Sequence, residues 1–162
     1  MPNYSMEDAE YWEPPEDLKP LADRTESREA TLFRMGPNED DSPIAMVLKM
    51  PPDYVIVRHA HDCERLEVIT QGSLYVDGRI LRPGDVMIAG PGELYGPKVA
   101  GPEGCTTMEF FSRQKGIAGP ITYELPNGEL RQVNYLKGDA RPENPEAIAE
   151  ARERAAAAFA AA

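Results

Sequence analysis

The sequence predicts an all-β barrel or sandwich with an N-terminal arm and a C-terminal α-helix. Three observations predict it. Short β-rich runs succeed one another from Ala30 to about Tyr135, Gly, Pro and Asp punctuation separates them, and the chain turns alanine-rich after Asn144. Turns at such close spacing leave no room for helical crossovers between strands.

Residues 1–29 form the arm, which is polar, acidic and dotted with proline, and therefore a poor core former. Tyr11 and Trp12 are its exception, able to pin it onto the domain or onto a partner subunit. The barrel is expected over residues 30–138. Its runs are "ATLFRM", "IAMVLKM", "YVIVRHAH", "RLEVIT", "SLYV", "VMIA", "CTTMEFF", "ITYEL" and "LRQVNYL". The turn signals are "PPD", "DG" at 77–78, "RPGD", "GPGE", "GPEG" and "PNG". Residues 139–162 carry the helix, with Asn144 as N-cap, Pro145 at the first helical position and Glu146 in the first turn. Ile148, Ala151, Ala155 and Phe159 give it a thin apolar stripe, enough to lean on a barrel.

A chain of 162 residues suits one domain, and 41% hydrophobic with 28% charged residues is an ordinary globular balance. A net charge of -11 argues against a nucleic-acid partner, which calls for a basic face. The apolar runs are too short for a membrane span, and the acidic start holds no signal-peptide core, so the expected location is cytoplasmic. Cys63 and Cys105 lack the spacing of a disulfide framework or a zinc knuckle and read as free thiols.

The stretch "RHAHDCERLEV", residues 58–68, carries the chemistry. On a strand, His59 and His61 share one face roughly 6.6 Å apart along the backbone, so both rings can converge on one ion. From Pro51 to Ser112 the chain resembles the cupin superfamily, a double-stranded β-helix or jelly-roll barrel. In the first cupin motif, Asp53 stands at the leading glycine, His59 and His61 form the H-x-H pair, Arg65 stands at the glutamate and Gly72 at the closing glycine. In the second, "PGDVMIAGPGELY", Pro83, Gly84 and Gly92 match, Gly90 replaces a proline and Tyr95 stands at the histidine.

The resemblance implies a metal held by two histidines, a glutamate and a third histidine. Here the histidine pair is retained, while Arg65 and Tyr95 occupy the other two places. Glu67 shares a strand face with Arg65 and should also point inward. The expected centre is therefore a divalent ion (Fe, Ni, Zn, Mn or Cu) held by His59 and His61 and completed by Glu67, water or Tyr95. Glu64, of opposite alternation, should face solvent, and Glu109 is a further acidic candidate whose facing the sequence leaves open. Arg65 opposes such an ion. A unit charge about 5 Å from a dication costs roughly 7 kcal/mol at an effective dielectric near 20. That approaches the roughly 8 kcal/mol of a micromolar ligand, so Arg65 must reach away or be neutralised by Glu67.

The expected function is an enzyme acting on a small anionic or oxygenated metabolite, with His59, His61, Arg65 and Tyr95 as catalytic residues. In the metal form it would be dioxygenase- or lyase-like, and in the metal-free form an isomerase or cyclase using His and Tyr as acid and base. In the metal-free form Arg65 can clamp a carboxylate or enolate as a guanidinium fork, or it can simply balance Glu67. The alternative class is a non-catalytic ligand-binding or sensor cupin. A homodimer paired through sheet edges is expected, since an open edge invites strand addition.

Overall fold

The computed structural model describes residues 3–19, 29–37 and 42–162, so parts of the expected arm lie outside the described residues. The chain folds as two antiparallel sheets and a terminal helix. The strands are β1 (Glu29–Arg34), β2 (Ile44–Met50), β3 (Val55–Ile56), β4 (His59–His61), β5 (Arg65–Val76), β6 (Arg79–Leu81), β7 (Val86–Ala89), β8 (Lys98–Phe111), β9 (Ile121–Glu124) and β10 (Leu130–Val133). A short helix α1 (Gln114–Ala118) and the long helix α2 (Pro145–Ala161) complete the set. The larger sheet runs β1-β2-β8-β5-β6, with β3 also on β8 and β7 also on β5, while the smaller runs β10-β9-β4.

β8 organises the barrel, pairing with β2 along one part of its length and with β5 along most of it. The expected run "CTTMEFF" is only its second half. The strand continues back through "GPEG", which reads as a turn by composition, to Lys98. The reason is a close approach: Gly72 and Gly104 face each other across β5 and β8, both at positive φ, and a Cβ on Gly72 would run into the Gly104 carbonyl. The glycines mark an irregular pairing between two long strands, with register shifts at Ile69/Gln71 and Gly72/Leu74. The same shifts merge the expected runs "RLEVIT" and "SLYV" into the single strand β5. Asp53 adopts φ 58, the left-handed geometry that its place at the motif's leading glycine requires.

Alternation sets what faces inward. Cys105, Thr107, Glu109 and Phe111 of β8 are all buried, as are Arg65, Glu67 and Ile69 of β5. Leu48, Met50, Ile69, Leu74, Ala100 and Cys105 form one apolar cluster, and Leu18, Leu32, Ile44, Cys63, Phe111 and Ile117 form another. Charged side chains occupy the strand positions between them. The arm contributes Leu18 to the second cluster, and Tyr11 sets its ring edge-on to Phe33 at 5.4 Å. Both cysteines are buried free thiols.

The helix begins as its composition dictates. Asn144 Oδ1 accepts from the Ala147 amide at 3.1 Å, and Pro145 opens the first turn. Ala151 and Ala155 are buried against Val55 and Val99, flanked by Ile148 and Phe159. The helix starts at Pro145 as expected, and residues 139–144 before it line the cavity. No helix among the described residues is long and apolar enough to cross a membrane.

Candidate functional site

β4 presents His59 and His61 to the barrel interior with ring centroids 5.2 Å apart. It is held by β9 on one side and, on the other, by a bridge from His59 to Tyr95. Each ring is oriented by a backbone carbonyl. His59 Nδ1 lies 2.8 Å from Val57 O, and His61 Nδ1 lies 2.9 Å from Gly116 O in α1. A carbonyl only accepts, so both Nδ1 atoms carry the proton. Burial, reinforced by the neighbouring His61 and Lys98, holds the His59 pKa well below the usual imidazole range. Burial likewise brings His61 down to about 4 against the opposing Gly116 bond. Both rings are therefore neutral, with Nε2 as a bare acceptor. Tyr95 Oη donates to His59 Nε2 at 2.9 Å. Burial raises the Tyr95 pKa well above the ordinary phenol value, although Arg65 pulls the other way, so the hydroxyl keeps its proton. His61 Nε2 has no hydrogen-bond partner among the described residues.

Beside the histidines lies a closed network of four charges. Glu67 and Glu109 stand directly opposite each other on β5 and β8. Two carboxylates in that position repel unless cations separate them. Arg65 Nε donates to Glu109 Oε2 at 2.7 Å while its terminal nitrogen bonds Glu67 Oε2. Lys98 Nζ holds Glu67 Oε1 and Oε2 at 3.0 and 2.9 Å and lies 3.7 Å from Glu109 Oε1. Two cations against two carboxylates sum to zero. Burial favours a neutral Glu109, but Arg65 and Lys98 overcome it and hold the carboxyl far below the usual carboxylate range. The Arg65 guanidinium also lies over the Tyr95 ring, 4.5 Å from its centroid.

A cavity of about 910 Å³ opens beside this network. His59, His61, Lys98 and Glu109 line its deep end, Met46, Leu48, Phe111, Ile117 and Ile121 its walls, and Arg141, Asn144, Ile148 and Arg152 its outer end. Arg65, Glu67 and Tyr95 do not line it.

This placement revises the expected site. His59, His61, Arg65, Glu67 and Tyr95 do come together, Glu64 faces solvent, bonded to Ser112, and Glu109 turns inward. The expected metal set does not assemble. Glu67 is committed to Arg65 and Lys98, and the Tyr95 hydroxyl proton occupies the Nε2 of His59 that a metal would need. Among the described residues no group of three or more His, Cys, Asp or Glu side chains could hold a metal ion. The residues present do not fit one: Arg65 stands where its carboxylate ligand belongs, and Lys98 on β8 adds a second cation beside it. Arg65 is likewise no clamp, since both carboxylates of the network occupy its fork. Sequence reasoning missed Lys98, Tyr123 and Tyr135. Lys98 opens β8 immediately after the second motif, and an inward lysine there was concealed because "GPEG" read as a turn. Tyr123 stacks on His59 with centroids 5.8 Å apart, and its hydroxyl meets that of Tyr135 at 2.6 Å.

No protein-family model matches the sequence, and no curated protein matches it. Solved structures do match in fold. An acetylacetone dioxygenase from Acinetobacter johnsonii superposes with a TM-score of 0.54 at 15% identity, over 93% of this chain and 93% of that one. An RmlC-like cupin protein from Ralstonia eutropha superposes with a TM-score of 0.50 at 15% identity, over 74% of this chain and 82% of that one. At these identities the likeness is one of fold.

Proposed function

On a chain that has the cupin fold, we propose a protein that binds a small oxygenated organic molecule in the barrel cavity without a metal ion. The observation that carries this reading is the self-neutralised network of Arg65, Glu67, Lys98 and Glu109. It supplies internally the charges that a metal and its ligands would otherwise supply, and it borders a cavity with room for an organic ligand. A cavity of about 910 Å³ with apolar walls and a few polar groups has the character of a small-molecule site. At its deep end His61 Nε2 offers a neutral acceptor, which suits a hydroxyl or amide donor on the ligand.

Catalysis by the expected His–Tyr pair has less support. The Tyr95 hydroxyl is tied up as a hydrogen-bond donor to His59, and neither Tyr95 nor Arg65 lines the cavity. The oxygen chemistry in the name of the Acinetobacter structure is not carried over, because the donor set here does not fit a metal. One enzymatic reading keeps a specific support: His61, with an open Nε2 toward the cavity, can take a proton from a bound ligand.

A metabolite library screened by thermal shift, with each hit followed for turnover, separates the two. Stabilising ligands recovered unchanged, with binding weakened by His61→Gln, are the expected result. Turnover that His61→Gln abolishes would assign the proton-transfer enzyme instead. No ligand among neutral, anionic and cationic metabolites would overturn both.

A further inference from the structure

The outer end of the cavity carries two arginines whose guanidinium groups have no carboxylate partner among the described residues. Arg141, half-buried in the segment before α2, reaches Val55 O at 3.5 Å. Arg152, one helical turn beyond Ile148 on α2, donates to Asp53 O at 3.1 Å. Neither forms an ion pair among the described residues, whereas buried Arg65 is held by two carboxylates. Two acidic residues share this rim. Asp139 spends one carboxylate oxygen on the Asn134 amide at 2.8 Å, and Glu143 is exposed. Arg141 is half-buried and Arg152 exposed, and a guanidinium bonded only to a backbone carbonyl retains free donors in a fork that suits a carboxylate. In a chain with 28 acidic and 17 basic residues, both arginines of this pair line the cavity.

We infer that Arg141 and Arg152 form a carboxylate-binding subsite at the cavity rim, and that the ligand is an elongated anionic amphiphile. Its carboxylate sits at the two arginines, its apolar middle lies along Ile148, Ile121, Ile117 and Leu48, and a hydroxyl at its far end donates to His61 Nε2. This rests on the reading of the cavity as a small-molecule site and specifies the ligand class. It also moves anion recognition from Arg65, where the sequence suggested it, to the opposite end of the cavity.

The test uses the whole chain and a graded series of ω-hydroxyalkanoates, each with its matching diol and unsubstituted alkanoate, by calorimetry at low and high salt. Affinity should peak at one chain length. The diol of that length should bind about tenfold more weakly or worse, the value of a charge-assisted bond. Arg141→Gln with Arg152→Gln should remove the difference between acid and diol, and added salt should shrink it, because the rim is partly exposed. Unchanged thermal melting of the double variant guards against a folding defect, and each single variant gives a second reading. Equal binding of acid and diol, or acid binding indifferent to both arginines, overturns the inference and leaves the cavity reading intact. Failure of the whole series also overturns it, while the cavity reading falls only if the wider metabolite library fails too.

Discussion

Lys98, the first residue of β8, reaches both carboxylate oxygens of Glu67 on β5, at 3.0 and 2.9 Å, with both side chains fully buried. The contact matters because Glu67 faces Glu109 across the strand pair. Desolvated charges of this kind are tolerated only when each has its partner.

Removing Lys98 should therefore expose the cost of an uncompensated charge. Lys98→Met is expected to destabilise the fold by about 3–5 kcal/mol in urea unfolding. Glu67→Gln in the same chain should restore part of that loss, since the neutral amide no longer requires a cation. A double-mutant cycle with no coupling between the two positions would contradict the network.

The histidines make the fold acid-sensitive. Both have folded pKa values depressed below the imidazole norm, His61 to about 4. Between about pH 6.5 and 4 the unfolded chain therefore binds protons that the folded chain refuses, so stability is full above that window and falls as pH drops through it. Each histidine contributes about 1.4 kcal/mol per pH unit inside the window. His61→Gln should flatten the slope of stability against pH by that amount between pH 6 and 4.5. Glu109, with its depressed carboxyl, adds a further loss at lower pH, below the ordinary carboxylate range. An unchanged slope in His61→Gln would mean that the ring titrates normally in the folded state.

Arg65→Glu replaces a buried cation with the carboxylate found at that place in the cupin motif. The variant should be less stable than the natural chain and should gain a divalent-ion-dependent rise in melting temperature that the natural chain lacks. Arg65→Lys keeps the charge but loses the fork, so it should cost stability while leaving ligand binding in place. Ligand affinity lost equally in Arg65→Lys and Arg65→Ala would return the clamp role to this residue.

The edge strand β7 pairs with β5 and leaves Val86 and Ile88 exposed, the latter at 74%. A second copy packed over this exposed pair would bury both side chains, and a homodimer is the expected state in light scattering at micromolar concentration. Ile88→Lys should shift it toward monomer. A monomeric natural chain under those conditions would defeat the expectation.

The sequence carried the barrel legibly because strand alternation and the two glycine-bearing motifs are local signals. The cap of α2 was equally local, with Asn144, Pro145 and Glu146 each in its expected place. The five-residue helix α1 left no such mark, yet its Gly116 carbonyl orients His61. Gly116 itself is constrained by tertiary packing, since a Cβ there would collide with the Cys63 side chain. The site was half legible for the same reason. Arg65 and Glu67 share a face by period, so their pairing follows from the strand. The partners that neutralise them, Lys98 and Glu109, come from β8, 31 residues beyond Glu67 and 44 beyond Arg65. Register between distant strands is not written in either one alone.

Metal content most directly tests whether the charges of Arg65, Glu67, Lys98 and Glu109 stand in for a metal in this barrel. Untagged, freshly purified protein should carry far less than stoichiometric Fe, Ni, Zn, Mn or Cu, with the trace unaltered by His59→Ala. A full equivalent of one metal that His59→Ala or His61→Ala removes would contradict the account.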